Sequence, residues 1–521
     1  MGQFDFVLKD MYNKALPFFG SKIAVKCDGK EMSYDQLNLQ ANRLAHGLIR
    51  SGIGLEDPVA MLMSNCIEFP VTDIAILKAG ATKVPLNDML GEKEILYILQ
   101  NSESKAAVVD SCFYPIIAKI REQLPHLKTV IALSNSAPPG FIPWDQFLQG
   151  MPDKDPMVNV KPHHRALIGY TGGTTGSPKG IVQTQQNQVM NLICHIIELG
   201  INDQDIILAM TPLPHSAGRY IMTGLVKGAT HIVGAKFDPV QTLRLIEQER
   251  VTFTFMVPTM IYRVLDVLKQ TSFDISSIRT IMYGAAPITE ERLKQGLKMF
   301  GQVFYQFFGL TEAPNFVTRL TKADHSLEPD KIHRLRSCGT PPLMSQVKII
   351  NDKGEEVPRG EQGEICVKAP FVMEGYHKLP DKTAETIMDG WLHTGDVGKM
   401  DEDGYVYLLD RKKDMIISGG MNVYSTEVEN AIQQVPGVRQ VAVIGIPHID
   451  WGEKVMAVII PDPDNPPSEE GILQFCKENL AKYKQPKEIK FLSELPLTAY
   501  GKIDKKALRQ PYWQDAARSI H

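Results

Sequence analysis

Apolar residues recur along this chain with two periods, and the order of the periods predicts the fold. After Ser33-Tyr-Asp-Gln36, a capping box, Leu37, Ala41, Leu44, Ala45, Leu48 and Ile49 recur at helical spacing and predict one amphipathic helix. Short apolar runs at 58–63, 79–84 and 106–110 predict strands, and the segments 71–78 and 92–100 between them have helical periodicity. Strands alternating with helices imply a largely parallel sheet covered by helices. The same rhythm resumes at 206–210, 231–235, 252–257, 279–283 and 302–308, so two α/β halves precede residue 330. Between 337 and 409 the pattern changes to short strands with tight turns, at 346–350 and 363–368 with Asn351-Asp-Lys-Gly354 between, and predicts a small β unit. Beyond Asp410 a compact α+β pattern follows: helices at 426–434 and 469–483, strands at 438–446, 454–460 and 488–492.

Composition narrows the partners. The 521-residue chain is too long for one ordinary core, so several domains are expected. With 43% hydrophobic and 22% charged residues it reads as globular, and a net charge of −4 supplies no basic field for nucleic acid. Small-molecule partners are favoured. The seven cysteines stand singly without CxxC spacing, so neither a zinc site nor a disulfide framework is indicated, which fits a reducing cytoplasm. The first residues lack a basic region followed by an apolar one, no apolar run is long enough to span a bilayer, and Gly2 without Ser or Thr at position 6 is a poor myristoylation signal. The final Ser519-Ile-His521 is no peroxisomal address. A homodimer is compatible with the chain, and no carrier domain is expected after Arg509.

The stretch Tyr170-Thr-Gly-Gly-Thr-Thr-Gly-Ser-Pro-Lys179-Gly180 follows the apolar run 166–169 and suits a polyanion. Glycines let backbone N–H groups approach phosphate, hydroxyls add donors and Lys179 adds charge. Its order differs from a Walker loop, since Pro178 precedes the lysine and Gly180 follows it. Other strand ends carry candidate chemistry, because ligands collect at the carboxyl ends of parallel strands. His215 follows the 206–210 strand; Gly284-Ala-Ala-Pro287 follows Tyr283; Thr311-Glu312 ends 302–308; and Asp396 lies at a glycine turn in WLHTGD. Each has a plain alternative, such as a structural histidine, a tight turn, a capping threonine or an Asx turn. Jointly they converge.

YTGGTTGSPKG, YGAAPI, FFGLTEA, WLHTGD, DRKKDMIISGGMNVYSTEVE and PLTAYGKIDKKALR stand in the order and approximate spacing of the adenylate-forming superfamily, which this chain resembles from about Ser33 to Arg509. That superfamily includes acyl- and aryl-CoA ligases, adenylation domains of peptide synthetases and luciferases. The resemblance implies an α/β fold: a large N-terminal domain, 1–409, of two α/β subdomains plus a small β-barrel, then a mobile α+β C-terminal domain, 410–521. It implies an acyl-CoA ligase using ATP, Mg²⁺ and coenzyme A through an acyl-AMP. Thr171, Gly172, Gly173, Thr174, Thr175, Gly176 and Lys179 would embrace the β- and γ-phosphates. Thr311 would touch the α-phosphate and Glu312 would hold the metal. Gly284, Ala285, Ala286 and Pro287, with Gln306, Phe307, Phe308 and Gly309, would form the adenine and α-phosphate site, and Asp396 and Arg411 would bind the ribose.

Phe308 stands where the family usually has tyrosine, which keeps ring stacking without the hydroxyl. Lys502 would join carboxylate and α-phosphate, Lys413 would be the hinge, and Ser418, Gly419 and Gly420 would face CoA. His215, Tyr283, Gly284, Gly309 and Asn422 would surround the acyl group. The expected pocket residues, around 220–225, 256–260, 283–285, 307–309 and 315–317, are mainly apolar or small, which favours an apolar acid, and the small Gly284-Ala285 floor leaves depth for a medium- or long-chain fatty acid. An aryl acid, or a free-standing enzyme loading a carrier protein, is the alternative.

Overall fold

A computed structural model describes residues 6–171, 178–286, 288–497 and 503–513. The chain separates into two compact units, residues 1–346 with 367–392, and 347–366 with 393–521. The division falls inside three strands, Gln346–Ile350, Gln362–Lys368 and Trp391–Met400.

The first unit holds two eight-stranded sheets. In one the order is Ala313–Leu320, Phe304–Leu310, Thr280–Tyr283, Phe253–Met256, Ile206–Ala209, Thr230–Val233, Ile23–Cys27, Lys30–Ser33. Its six inner strands are parallel and both edge strands antiparallel. In the other the order is Gly375–Tyr376, Lys179–Thr184, Arg165–Thr171, Thr82–Leu86, Pro58–Leu62, Ala106–Val109, Thr129–Ala132, Ile142–Pro143. It is parallel from Arg165–Thr171 onward and antiparallel at the Lys179–Thr184 side. Residues 375–376 thus leave the predicted β unit for this sheet's edge. The core beneath both sheets includes the helix Tyr34–Arg50, with Leu37, Ala41, Leu44 and Leu48 fully buried. The expected capping box is present: Ser33 Oγ accepts from the Gln36 amide at 3.2 Å, and Gln36 Oε1 accepts from Ser33 N at 2.8 Å. Ile49, at 36% exposure, falls off the predicted stripe.

The strand expected at 79–84 runs instead over Thr82–Leu86. The helix Glu68–Lys78 continues to Ala79, and Gly80 turns the chain with φ +71 before the strand can start.

The second unit contains most of Gln346–Ile350, Gln362–Lys368 and Trp391–Met400, and Val406–Arg411, which pairs antiparallel with Trp391–Met400. A further sheet orders Met421–Val423, Ile416–Ser418, Gly452–Pro461 and Val438–His448, with Glu488–Phe491 parallel to Gly452–Pro461. Its helices Ser425–Ile432 and Glu469–Asn479 bury Val428, Ile432, Ile472 and Cys476. The α/β and α+β class read from the sequence is the observed one. Among the described residues no helix is long and apolar enough to cross a membrane.

Candidate active site

Two hairpins, one from each large sheet, build the centre of the site. In the first sheet the chain turns at Thr311-Glu312 from Phe304–Leu310 into the antiparallel edge strand Ala313–Leu320. The Thr311-Glu312 pair therefore sits in a β-turn, not at the start of a helix. In the second, Arg165–Thr171 and Lys179–Thr184 pair antiparallel, with Thr171 opposite Lys179, so the glycine-rich stretch joins two strands. Gly172, Gly173, Thr174, Thr175 and Gly176 lie outside the described residues, as do Pro287 and Lys502.

The hairpins meet through specific bonds. Gln183 Nε2 donates to the Thr311 carbonyl at 3.3 Å, and the Met373 amide donates to the Glu312 carbonyl at 2.7 Å. The Tyr376 hydroxyl donates to Glu312 Oε1 at 2.9 Å, and Lys179 Nζ lies 5.1 Å from the centre of the same ring. Tyr376 therefore holds the carboxylate while its face meets the lysine. Burial pushes the Tyr376 hydroxyl up, and the Glu312 charge adds to this, so it stays a donor. Sequence reasoning missed Tyr376 and Gln183. The glycine before Tyr376 was the available signal, because a Cβ there would sit 2.7 Å from Thr383 Cγ2.

The segments expected to take the adenine are shaped by close approach. A Cβ on Gly284 would lie 2.6 Å from the Phe307 carbonyl oxygen, and one on Gly309 2.4 Å from the Asn315 nitrogen. Ala285 has φ +65, and Ala285 and Ala286 are exposed, forming an open shelf after Thr280–Tyr283. Strand alternation separates the two phenylalanines: Phe307 packs inward with Phe255, ring centres 5.7 Å apart, while Phe308 stays half-buried. Tyr283 is fully buried, and its hydroxyl meets Gln306 Oε1 at 3.2 Å and His325 Nε2 at 2.9 Å.

His215 lies in the turn Leu213–Ala217 ahead of the helix Gly218–Lys227, and Gly218 permits that join, since a Cβ there would be 2.3 Å from the Leu213 carbonyl. It lines a cavity with Arg219, Asp73, Lys83, Tyr12 and His195 among others; Tyr283, Gly284 and Gly309 do not line it. The wall is more polar than the expected apolar pocket. Asp73 and Lys83 form a buried ion pair at 2.8 Å. His195 bridges the Asn191 carbonyl at 2.7 Å and Asn315 Nδ2 at 2.8 Å, and burial drives its pKa down to about 3, so it is neutral. Tyr220, Phe307 and Phe316, part of the expected acyl lining, join Phe253 and Phe255 in an aromatic core with centroid separations from 5.4 to 6.5 Å.

In the second unit, Asp396 and Arg411 are directly opposed across two strands and 3.5 Å apart, with Asp396 buried and Arg411 exposed. Lys413 is lowered by burial and by nearby Arg411. Ser418 ends a strand, and Gly419 and Gly420, φ +59 and +77, form the hairpin turn to Met421–Val423, which carries exposed Asn422. The helix Lys505–Arg509, just after position 502, is clamped: Lys505 meets Glu429 at 2.7 Å and Ser425 Oγ at 2.6 Å, and Arg509 meets Asp414 at 2.9 Å.

For a metal, the described residues contain no cluster of three or more His, Cys, Asp or Glu. Mg²⁺ keeps waters and substrate phosphates and needs only one or two protein carboxylates, so the expected ligand Glu312 would not require such a cluster.

Two hairpins joined at Thr311-Glu312, an open shelf at Ala285-Ala286 and a small α+β second unit are the features to compare with known proteins. A model described as "AMP-binding enzyme" matches residues 14–377, and one described as "AMP-binding enzyme C-terminal domain" matches 427–502. Feruloyl-CoA synthase of an Amycolatopsis species is 37% identical over 94% of this chain and 96% of its own length. Medium/long-chain-fatty-acid–CoA ligase FadD8 of Mycobacterium tuberculosis is 41% identical over 70% of this chain, a match spanning 64% of that protein. Among solved structures, the anthranilate CoA ligase AuaEII with anthranoyl-AMP superposes at TM-score 0.89, 26% identical, covering 98% of both chains. ATP-bound MatB from Rhodopseudomonas palustris superposes at 0.88, 30% identical, covering 97% of this chain and 99% of its own. The chain belongs to the AMP-binding enzyme family of adenylate-forming ligases. It is an ATP-dependent, AMP-forming enzyme of the acid–thiol ligase class.

Proposed function

We propose that this enzyme converts an aryl or other compact carboxylic acid to its CoA thioester through an acyl-AMP, releasing AMP and pyrophosphate. The observation that carries the acid class is the polar wall beside His215, with Arg219, Asp73, Lys83 and Asn191 where a fatty tail would need a continuous apolar lining. The relatives span both acid classes: FadD8 is named for medium and long fatty acids, whereas full-length relatives at 37% and 35% identity are named for ferulate and indoleacetate. A fatty acid, the sequence expectation, is therefore the second reading.

A carboxylate is a poor nucleophile toward a polyanion, so catalysis consists of holding both in line and neutralising their repulsion. In this reading the 171–179 loop and Lys179 hold the outer phosphates, and Thr311 holds the α-phosphate. Gly284, Ala285, Ala286 and Phe308 take the adenine, and Asp396 with Arg411 takes the ribose diol. Glu312, oriented by Tyr376, would hold Mg²⁺, whose charge would offset that of the phosphates. Lys502 approaches carboxylate and α-phosphate during adenylation and leaves for thioester formation. That exchange turns a C-terminal domain, 410–521, about Lys413, and brings the Ser418-Gly419-Gly420 turn toward the thiol arm.

A pyrophosphate-release screen over fatty, aryl and dicarboxylic acids, with CoA or a carrier protein as acceptor, tests the reading. Turnover of aryl acids with CoA supports it. Turnover confined to long fatty acids, or dependent on a carrier protein while ignoring CoA, contradicts it.

A further inference from the structure

The cavity beside His215 contains a cation that, among the described residues, hydrogen-bonds to no carboxylate, the Asp73 charge reaching it only through space. Arg219 lines it from the first turn of Gly218–Lys227, half-buried, and burial lowers its pKa to about 10, so it remains protonated at neutral pH. Its hydrogen bonds go to three neutral amide oxygens: Asn191 Oδ1 at 3.2 Å, Gln183 Oε1 at 3.3 Å and Gln188 Oε1 at 3.5 Å. These are long for a guanidinium, which forms shorter, stronger bonds when it meets an anion. The nearby charges do not neutralise it. Asp73 is spent on Lys83, with both oxygens within 3.0 Å of Nζ, so the cavity wall keeps one net positive charge.

A second group points the same way. Tyr12, on the helix Leu8–Phe19, is fully buried and lines the cavity, yet its hydroxyl has no hydrogen-bond partner among the described residues. A buried hydroxyl without a partner is destabilising, so it points to a partner that the described residues do not supply. A guanidinium bonded only to neutral amides and a hydroxyl without a partner thus line one cavity.

We infer that Arg219 and the Tyr12 hydroxyl form a polar end to the acyl site that selects acids carrying an acceptor oxygen on the tail. The oxygen is supplied by a phenolic hydroxyl or by a second carboxylate. This inference rests on the ligase reading above and adds the chemistry of the substrate's far end. Arg219 is also joined to the adenylating hairpin, because Gln183 accepts from Arg219 and donates to the Thr311 carbonyl. An occupied tail site would thereby steady the fork beneath Thr311.

The test measures acid-dependent AMP formation with three matched aryl acids: unsubstituted, ring-hydroxylated and ring-carboxylated. The intact enzyme should prefer one acceptor-bearing acid over the bare one by about tenfold or more in kcat/KM, since a site built to bond a polar group rejects the analogue lacking it. Which of the two is preferred identifies the oxygen's source. Arg219→Gln and, separately, Tyr12→Phe should each shrink that ratio. Because the ratio is internal to each enzyme, a general loss of activity does not mimic the effect. If Arg219→Gln does not fold, the ratio in the intact enzyme and in Tyr12→Phe decides. Preference for the bare acid, or a ratio unchanged in every folded variant, overturns the inference while leaving the ligase reading intact. Absence of AMP formation with every acid overturns both.

Discussion

The Tyr376 hydroxyl donates to Glu312 Oε1 across 2.9 Å, linking an edge strand of one sheet to the turn that leaves the other. Tyr376→Phe removes that bond and keeps the ring beside Lys179. A hydrogen bond to a charged group contributes about 1.5–3 kcal/mol, so the rate of acid-dependent pyrophosphate release should fall by roughly ten- to a hundredfold. The dependence on Mg²⁺ should also shift to higher concentration. An unchanged rate at limiting Mg²⁺ would remove Tyr376 from the site.

Gly284 and Gly309 are each pressed against backbone. Alanine at either position drives a methyl group to 2.6 Å from the Phe307 oxygen or 2.4 Å from the Asn315 nitrogen. Neither neighbour can rotate away. Each substitution should lower unfolding stability by about 1–3 kcal/mol and weaken nucleotide binding, measured by denaturant unfolding and by ATP titration. Full stability with full ATP affinity would contradict the packing described.

Much of this was legible in the chain. The 33–50 helix, the alternation of strands and helices, and the second unit's elements were readable because their apolar periods are strong and their caps are local. The antiparallel strands that follow Thr311-Glu312 and the glycine-rich loop, Ala313–Leu320 and Lys179–Thr184, were not read, because each breaks the parallel rhythm near one side of its sheet. Tyr376 was assigned by sequence position to the small β unit, yet it pairs with Ile181, far away in sequence. The polar wall of the cavity beside His215 was hidden for a related reason. Tyr12, Asp73, Lys83 and Arg219 come from separate elements, whereas the apolar residues Tyr220 and Phe307, adjacent to the motifs, turn into the core.

Acid should destabilise the protein early. Burial lowers His195 to about 3, and His231 and His325 to about 4, each neutral in the fold. Above the unfolded value of about 6.5 both states are neutral and nothing changes; below it only the unfolded chain takes up these protons. Stability therefore falls as pH drops, by up to about 4 kcal/mol per pH unit between roughly pH 6 and 4.5. Denaturant unfolding at several pH values reads this directly, and a flat profile over that window would contradict the buried neutral imidazoles.

The two half-reactions should separate at one lysine. Lys502→Ala should abolish acyl-AMP formation yet spare CoA thioester formation from acyl-AMP supplied ready-made. Equal loss of both steps would count against the domain exchange about Lys413.

Attack of a carboxylate oxygen on the α-phosphate is the central claim, and isotope transfer tests it most directly. With an acid labelled with ¹⁸O in its carboxylate and CoA present, one labelled oxygen should appear in AMP, with unlabelled pyrophosphate as the other product of ATP. Label in orthophosphate, accompanied by ADP, would contradict the account.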